Sequence, residues 1–199
     1  MDIEWEAKFS DINKNEIRSR LAVSGAQLVK PEFLQKRVTF NLPTGHELEG
    51  AWVRVRDEGD KFTMSLKIVS GDKIQDQKEI ALQIDNFENA RTLLTTIGCD
   101  EKSYQENKRE LWILDGVEIT LDEWPYLEPF VEIEGKSEAE VRRISEELGF
   151  DWSKAIFGST HFLTSRKYHI PESNLNNEIP RIVFNEPNPY VKWLEKNKR

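Results

Sequence analysis

One cysteine, Cys99, is present in 199 residues, so no disulfide forms within the chain. A reducing compartment is expected. No apolar run approaches the roughly 18 residues that would span a bilayer as a helix. The N-terminus lacks the basic-then-apolar pattern of a secretory signal. These absences point to a cytoplasmic protein with no membrane partner. Positive charge is also in short supply: 28 Lys and Arg face 36 Asp and Glu, a net charge of −8. Bulk attraction to nucleic acid is therefore not expected. The three histidines, His46, His161 and His169, lack metal-ligand spacing. No Walker A or G-x-G-x-x-G loop is present to cradle phosphate. Any anion site must be a local concentration of Lys and Arg side chains.

What the chain has in quantity is period-two alternation. In 3–9, Ile3, Trp5, Ala7 and Phe9 stand opposite Glu4, Glu6 and Lys8. The same pattern recurs over 38–42, 51–57, 61–69, 78–84, 116–122 and 130–135, and more weakly over 104–114. Successive strand residues point to opposite faces, so each stretch predicts a strand with one apolar and one polar face. Gly59 in 57–61 and Gly116 in 114–116 supply turns. Helices are predicted over 13–29, 86–97 and 137–148, the first and third opening in capping-box spacing (Asn13 with Glu16, Ser137 with Glu140). A short helix is predicted over 151–157. Beyond residue 170 the Asn, Pro and Glu content predicts a tail laid over the surface, with a helical turn at the end. Cys99 and Trp124 read as core residues. The fold class expected is α+β.

The polar faces are unusually charged. They carry Glu4, Glu6, Lys8, Arg54, Arg56, Lys67, Glu79, Arg109, Asp122, Glu132 and Glu134. Charge segregates by strand, with paired carboxylates at 4/6 and 132/134 and paired arginines at 54/56. A solvated face with weak cross-strand salt bridges is the ordinary explanation. Here the apolar faces need the helices, which leaves the charged faces lining whatever the sheet curls around. Close carboxylates repel or take up protons, and a hard divalent cation removes that conflict. Arg and Lys on the facing wall suit phosphate oxygens. The pattern asks for a metal-chelated polyphosphate.

These motifs resemble the CYTH proteins, or triphosphate tunnel metalloenzymes, a family that includes class IV adenylyl cyclases and thiamine triphosphatases. The likeness rests on "EWEAKF", "VRVRDEGDKFTMSLK", "KEI", "YQENKRELW" and "LDEWPYLEPFVEIEG" in that order. It implies an eight-stranded antiparallel barrel forming a tunnel over residues 1–160, with 161–199 as a C-terminal extension packed on it. It implies Mg²⁺ or Mn²⁺ held by Glu4, Glu6, Asp122, Glu132 and Glu134. It implies a triphosphate held by Lys8, Arg54, Arg56, Lys67 and Arg109 with help from Glu79, and chemistry involving Lys8 and Glu6. Asn107 stands where many relatives have a second basic residue, and the His-Phe pair of class IV cyclases is replaced by "RVTFNLP". Arg166, Lys167 and Tyr168 are weaker candidates for closing the tunnel.

The resemblance leaves three activities open. Hydrolysis of tripolyphosphate, thiamine triphosphate or a nucleoside triphosphate comes first. Conversion of ATP to cyclic AMP and pyrophosphate uses the same cradle with a different phosphorus aligned. A non-catalytic polyphosphate-binding module would keep the arginines but has no need of the carboxylates. A monomer or homodimer is expected.

Overall fold

A computed structural model describes residues 1–198. Its strands are β1 (Asp2–Ile3), β2 (Trp5–Phe9), β3 (Gln27–Asn41), β4 (Ala51–Asp57), β5 (Phe62–Val69), β6 (Gln77–Ile84), β7 (Asp100–Leu114), β8 (Val117–Glu123), β9 (Phe130–Gly135) and β10 (Arg181–Ile182). Its helices are α1 (Lys14–Val23), α2 (Phe87–Thr96), α3 (Glu138–Glu147), α4 (Thr160–Tyr168), α5 (Glu172–Glu178) and α6 (Pro189–Asn197). The strand order is β1-β6-β5-β4-β3-β7-β8-β9-β2. The two ends of that path are one segment. Asp2–Ile3 pairs with β6, and Trp5–Phe9 pairs with β9. The N-terminal strand thus changes partners at Glu4 and brings the sheet back on itself. Counted as one strand broken at Glu4, it gives the expected eight strands. All their pairings are antiparallel; the added strand β10 runs parallel to β7.

The barrel is apolar outside and charged inside. Ala7, Phe9, Ile119, Leu121, Val131 and Ile133 face outward and pack with Ile17 and Leu21 of α1, with Val141 and Ile144 of α3 and with Leu148 that caps it. Val38, Phe40, Val53 and Val55 pack in the same way with Ala90 and Leu94 of α2, and Cys99 joins that cluster. Fully burying such side chains stabilises by about 1.5–3 kcal/mol each.

Three boundaries differ from the sequence expectation. The helix expected over 13–29 ends at Val23, with Ser24 as its cap and Gly25 at φ +80°. That left-handed residue turns the chain straight into β3. The strand expected over 38–42 begins at Gln27 and pairs with β7 along most of its length. Pro31, which has no N–H to give to a ladder, falls within this strand. It is tolerated because β4 pairs only with Lys36–Phe40, leaving this half of β3 free on that side. The helix expected over 151–157 is a single 3-10 turn at Trp152–Lys154. The region beyond 170 is also more regular than a surface tail. Ile170, Leu175, Ile179, Ile182 and Tyr190 form a small core of their own. No helix among the described residues is long and apolar enough to cross a membrane.

Candidate active site

Strand register brings the charged side chains together. On β2, Glu6 and Lys8 are each 2% exposed while Ala7 between them faces the core. Across the seam to β9, Glu6 lies opposite Glu134 and Lys8 opposite Glu132. Arg37 of β3 lies opposite Arg56 of β4, and Lys67 of β5 lies opposite Glu79 of β6. An open cavity of about 2110 Å³ runs through the barrel and onto the surface beside it. Glu4, Glu6, Lys8, Arg54, Arg56, Lys67, Glu79, Arg109, Glu132 and Glu134 all line it. Asp122, fully buried, sits behind this surface.

One wall is acidic. Carboxylate oxygens of Glu4, Glu6 and Glu134 come within 4.8 Å of one another. Burial raises Glu134 to about 7, with Glu6 and Glu132 adding to it. Burial raises Glu4 to about 9 against the pull of Lys67, and Glu79 beside it shares its proton. Glu4 Oε2 lies 2.8 Å from Lys67 Nζ yet makes no hydrogen bond. This trio could hold a hard divalent cation: it offers three oxygen donors, and burial favours protons on Glu4 and Glu134 that a cation would displace.

The other acids are already committed. Lys8 Nζ pairs with Glu6, lies 3.2 Å from Glu132 and donates to the Gly158 carbonyl at 2.8 Å. Glu132 stays far below the usual carboxylate range, because Lys8, Arg109 and Lys67 outweigh its burial. Arg109 forks onto Asp122 at 3.0 and 2.7 Å and reaches Glu132 at 3.1 Å. Asp122 also accepts from Asn107 at 2.6 Å and Thr120 at 2.9 Å. Asp122 and Glu132 are tied into ion pairs with Arg109 and Lys8, and Lys8 links Glu132 to Glu6 of the trio.

The facing wall holds cations with unfilled capacity. Arg54 donates to Glu79 at 3.0 Å, but its buried Nε has no partner. Arg56 is held below its ordinary value, to about 10, by burial and by Arg54. Glu58 lies 3.0 Å from it. Arg37 is the residue the sequence reading missed. It is 6% exposed, bonds only the neutral Gln35 and Asn107, and leaves its Nε unpaired. Burial, then Arg54, Arg56 and Arg109, push it well below the usual guanidinium value. It also lies over the Trp124 ring at 4.5 Å. Arg37, Arg54 and Arg56 are crowded together, and the buried Nε of Arg37 and of Arg54 has no partner. The signal was present: carrying the Thr39 and Asn41 face back two residues reaches Arg37. Asn107, at the position where a base was missing, links Arg37 to Asp122.

The remaining candidates divide. Arg166 lines the cavity. Lys167 bonds Glu128 at 2.6 Å, and the Tyr168 hydroxyl donates to the Tyr126 carbonyl at 2.8 Å. His161, from α4, also lines the cavity, while His46 and His169 are exposed.

A charged barrel of this topology, with an acid trio set against clustered arginines, defines a family. The CYTH domain profile matches residues 2–156, and the chain belongs to the CYTH family. It is 28% identical over 134 residues to a Methanocaldococcus jannaschii protein provisionally named an adenylate cyclase, covering 66% of this chain and 76% of that one. Among solved structures, a Vibrio parahaemolyticus protein provisionally named an adenylate cyclase superposes with a TM-score of 0.71 at 14% identity, covering 82% of this chain and 98% of that one. A Hippeastrum protein, a provisional adenylyl cyclase described as having a dominant triphosphatase activity, gives a TM-score of 0.53 at 14% identity, covering 82% and 95%. The last two likenesses bear on the fold.

Proposed function

We propose that the chain is a divalent-metal-dependent phosphohydrolase that cleaves the terminal phosphate of a triphosphate inside the barrel. The observation that carries this reading is the buried Glu4–Glu6–Glu134 trio sharing one cavity with Arg37, Arg54 and Arg56. A phosphate-binding module has no use for three crowded carboxyls on one wall of the cavity.

Glu4, Glu6 and Glu134 would hold Mg²⁺ or Mn²⁺, which when bound supplies charge neutralisation for phosphate oxygens. Arg37, Arg54 and Arg56 grip the phosphate chain, the first two through N–H groups that have no partner in the protein. Lys8, fixed between Glu6, Glu132 and the Gly158 carbonyl, is a rigid positive charge at the acid wall. Phosphoryl transfer depends on such alignment and charge stabilisation more than on covalent chemistry. Glu132, Asp122 and Arg109 are positioning residues that keep Lys8 and Arg37 in place. Glu79 steadies Arg54 and Lys67.

Cyclisation of ATP is the second reading, favoured by the names of the Methanocaldococcus and Vibrio relatives. Hydrolysis stands first because "RVTFNLP" lacks the His-Phe pair of class IV cyclases and because the Hippeastrum relative is described by its triphosphatase activity. Chromatography of products from ATP, thiamine triphosphate and tripolyphosphate with Mg²⁺ or Mn²⁺ separates the two. Orthophosphate with a diphosphate supports hydrolysis. Cyclic AMP with pyrophosphate overturns it in favour of the cyclase.

A further inference from the structure

The inward-facing cations Lys8, Lys67, Arg54, Arg56 and Arg109 each lie 3.2 Å or less from a carboxylate oxygen. Lys102 of β7 is different. It is half-buried and lines the same cavity, yet among the described residues it has no hydrogen bond and no ion pair. Burial alone lowers its ammonium from the ordinary value, with no acid to offset it. A charge taken from water without a partner costs free energy. Its place therefore calls for an anion that the chain does not supply.

The backbone puts it there. Across β3 and β7, Thr39 lies opposite Ser103 but Phe40 lies opposite Glu101, so Lys102 is the extra residue of a β-bulge. Tyr104, two residues on, packs outward with Val38 and Phe40. Regular alternation would send Lys102 out beside it. The bulge turns it into the cavity instead, and bulges next to active sites re-aim side chains in this way.

His161 locates Lys102 within the cavity. This ring lines the cavity from α4, with Nδ1 2.8 Å from Asn176 Oδ1, and the cations that act on it are Lys102 and Arg37. Lys102 and Arg37 thus share one end of the cavity. Arg37 bonds only the neutral Gln35 and Asn107. No acid of the Glu4–Glu6–Glu134 trio acts on Lys102.

We propose that Lys102 is a substrate-binding residue that, with Arg37, holds the end of the phosphate chain directed toward α4, away from the metal trio. This rests on the triphosphatase reading and deepens it by naming what anchors the far end of the substrate.

The test measures KM and kcat for tripolyphosphate with Mg²⁺, and Tm without metal or substrate, for the wild-type chain, Lys102→Met and Lys102→Arg. Loss of one charged hydrogen bond raises KM about 10- to 100-fold in Lys102→Met. Its Tm holds or rises, because an unpaired buried charge has gone. Lys102→Arg keeps the charge and recovers most of the loss in KM. An unchanged KM in Lys102→Met overturns the assignment and leaves the triphosphatase standing. An equal rise of KM in both variants with a lowered Tm also overturns it, since that marks a packing role. If the wild-type chain binds tripolyphosphate without turnover, the hydrolase reading fails and calorimetric Kd decides Lys102 by the same comparison. If calorimetry with Mg²⁺ detects no binding at all, both fail together.

Discussion

Removing divalent metal makes the protein less stable as pH rises from 7 to 9. Glu4 has a folded value of about 9 against an ordinary 4.5. Between those values the folded chain holds a proton that the unfolded chain has lost. Stability from a raised carboxyl is complete below the unfolded value and is lost as pH climbs through the folded one. Each pH unit in that window costs about 1.4 kcal/mol. Allowing for partial ionisation near pH 9, the loss from pH 7 to 9 is about 2 kcal/mol. For a chain of this length that lowers Tm by about 4–8 °C. Glu134 adds to the fall near pH 7. His161 acts with the opposite sign, since its lowered value costs stability only as pH drops below about 6.5, outside the window. Differential scanning calorimetry in EDTA reads the effect directly. With saturating Mg²⁺ the carboxylates are held charged and the decline disappears, because ligand that binds only the folded state stabilises it and binds better as the protons leave. Glu4→Gln removes the titrating group and flattens the metal-free curve. A flat wild-type curve in EDTA, or a fall undiminished in Glu4→Gln, refutes the reasoning.

Other expectations bear on individual side chains. Arg37→Gln leaves the barrel folded but removes a buried charge with spare donors; loss of about 1.5–3 kcal/mol of charged hydrogen bonding raises KM for triphosphate about 10- to 100-fold, read by steady-state kinetics. Arg109→Met leaves Asp122 buried with its main cationic partner gone, so urea unfolding shows a loss of about 3–5 kcal/mol; a change in KM with stability intact would return Arg109 to substrate binding. Glu134→Gln abolishes metal-dependent turnover while circular dichroism stays native, and normal rates in that variant would remove Glu134 from the site. Ile119→Ala, at a fully buried position between β8 and the helices, costs about 2–5 kcal/mol by denaturant titration and leaves KM unchanged.

The barrel was legible because its period-two signal is strong wherever one face packs on helices and the other on charge. Ala7 between Glu6 and Lys8, and Ile133 between Glu132 and Glu134, show the alternation in full. The long lower half of β3 was not legible. Leu28 also fits a helical period, and Pro31 argues against a strand unless the missing neighbour on one side is known. That error hid Arg37. The separate surroundings of the acids lay beyond the spacing as well. Glu132 and Glu134 are two residues apart on one face, yet Lys8 and Arg109 pair with the first, and burial with Glu6 nearby raises the second to about 7. Cross-strand register decides this, and register depends on the N-terminal strand changing partners at Glu4. The small core around Ile170, Leu175 and Tyr190 was hidden by Asn- and Pro-rich composition that reads as loop.

The central claim is that Glu4, Glu6 and Glu134 hold a divalent cation opposite the arginines. Crystals grown with Mn²⁺ and tripolyphosphate test it through the anomalous signal of the metal. The account predicts a peak about 2.0–2.2 Å from oxygens of those three carboxylates, with phosphate density running toward Arg37, Arg54 and Arg56. A peak elsewhere in the barrel, or phosphate bound with no metal at the trio, contradicts it.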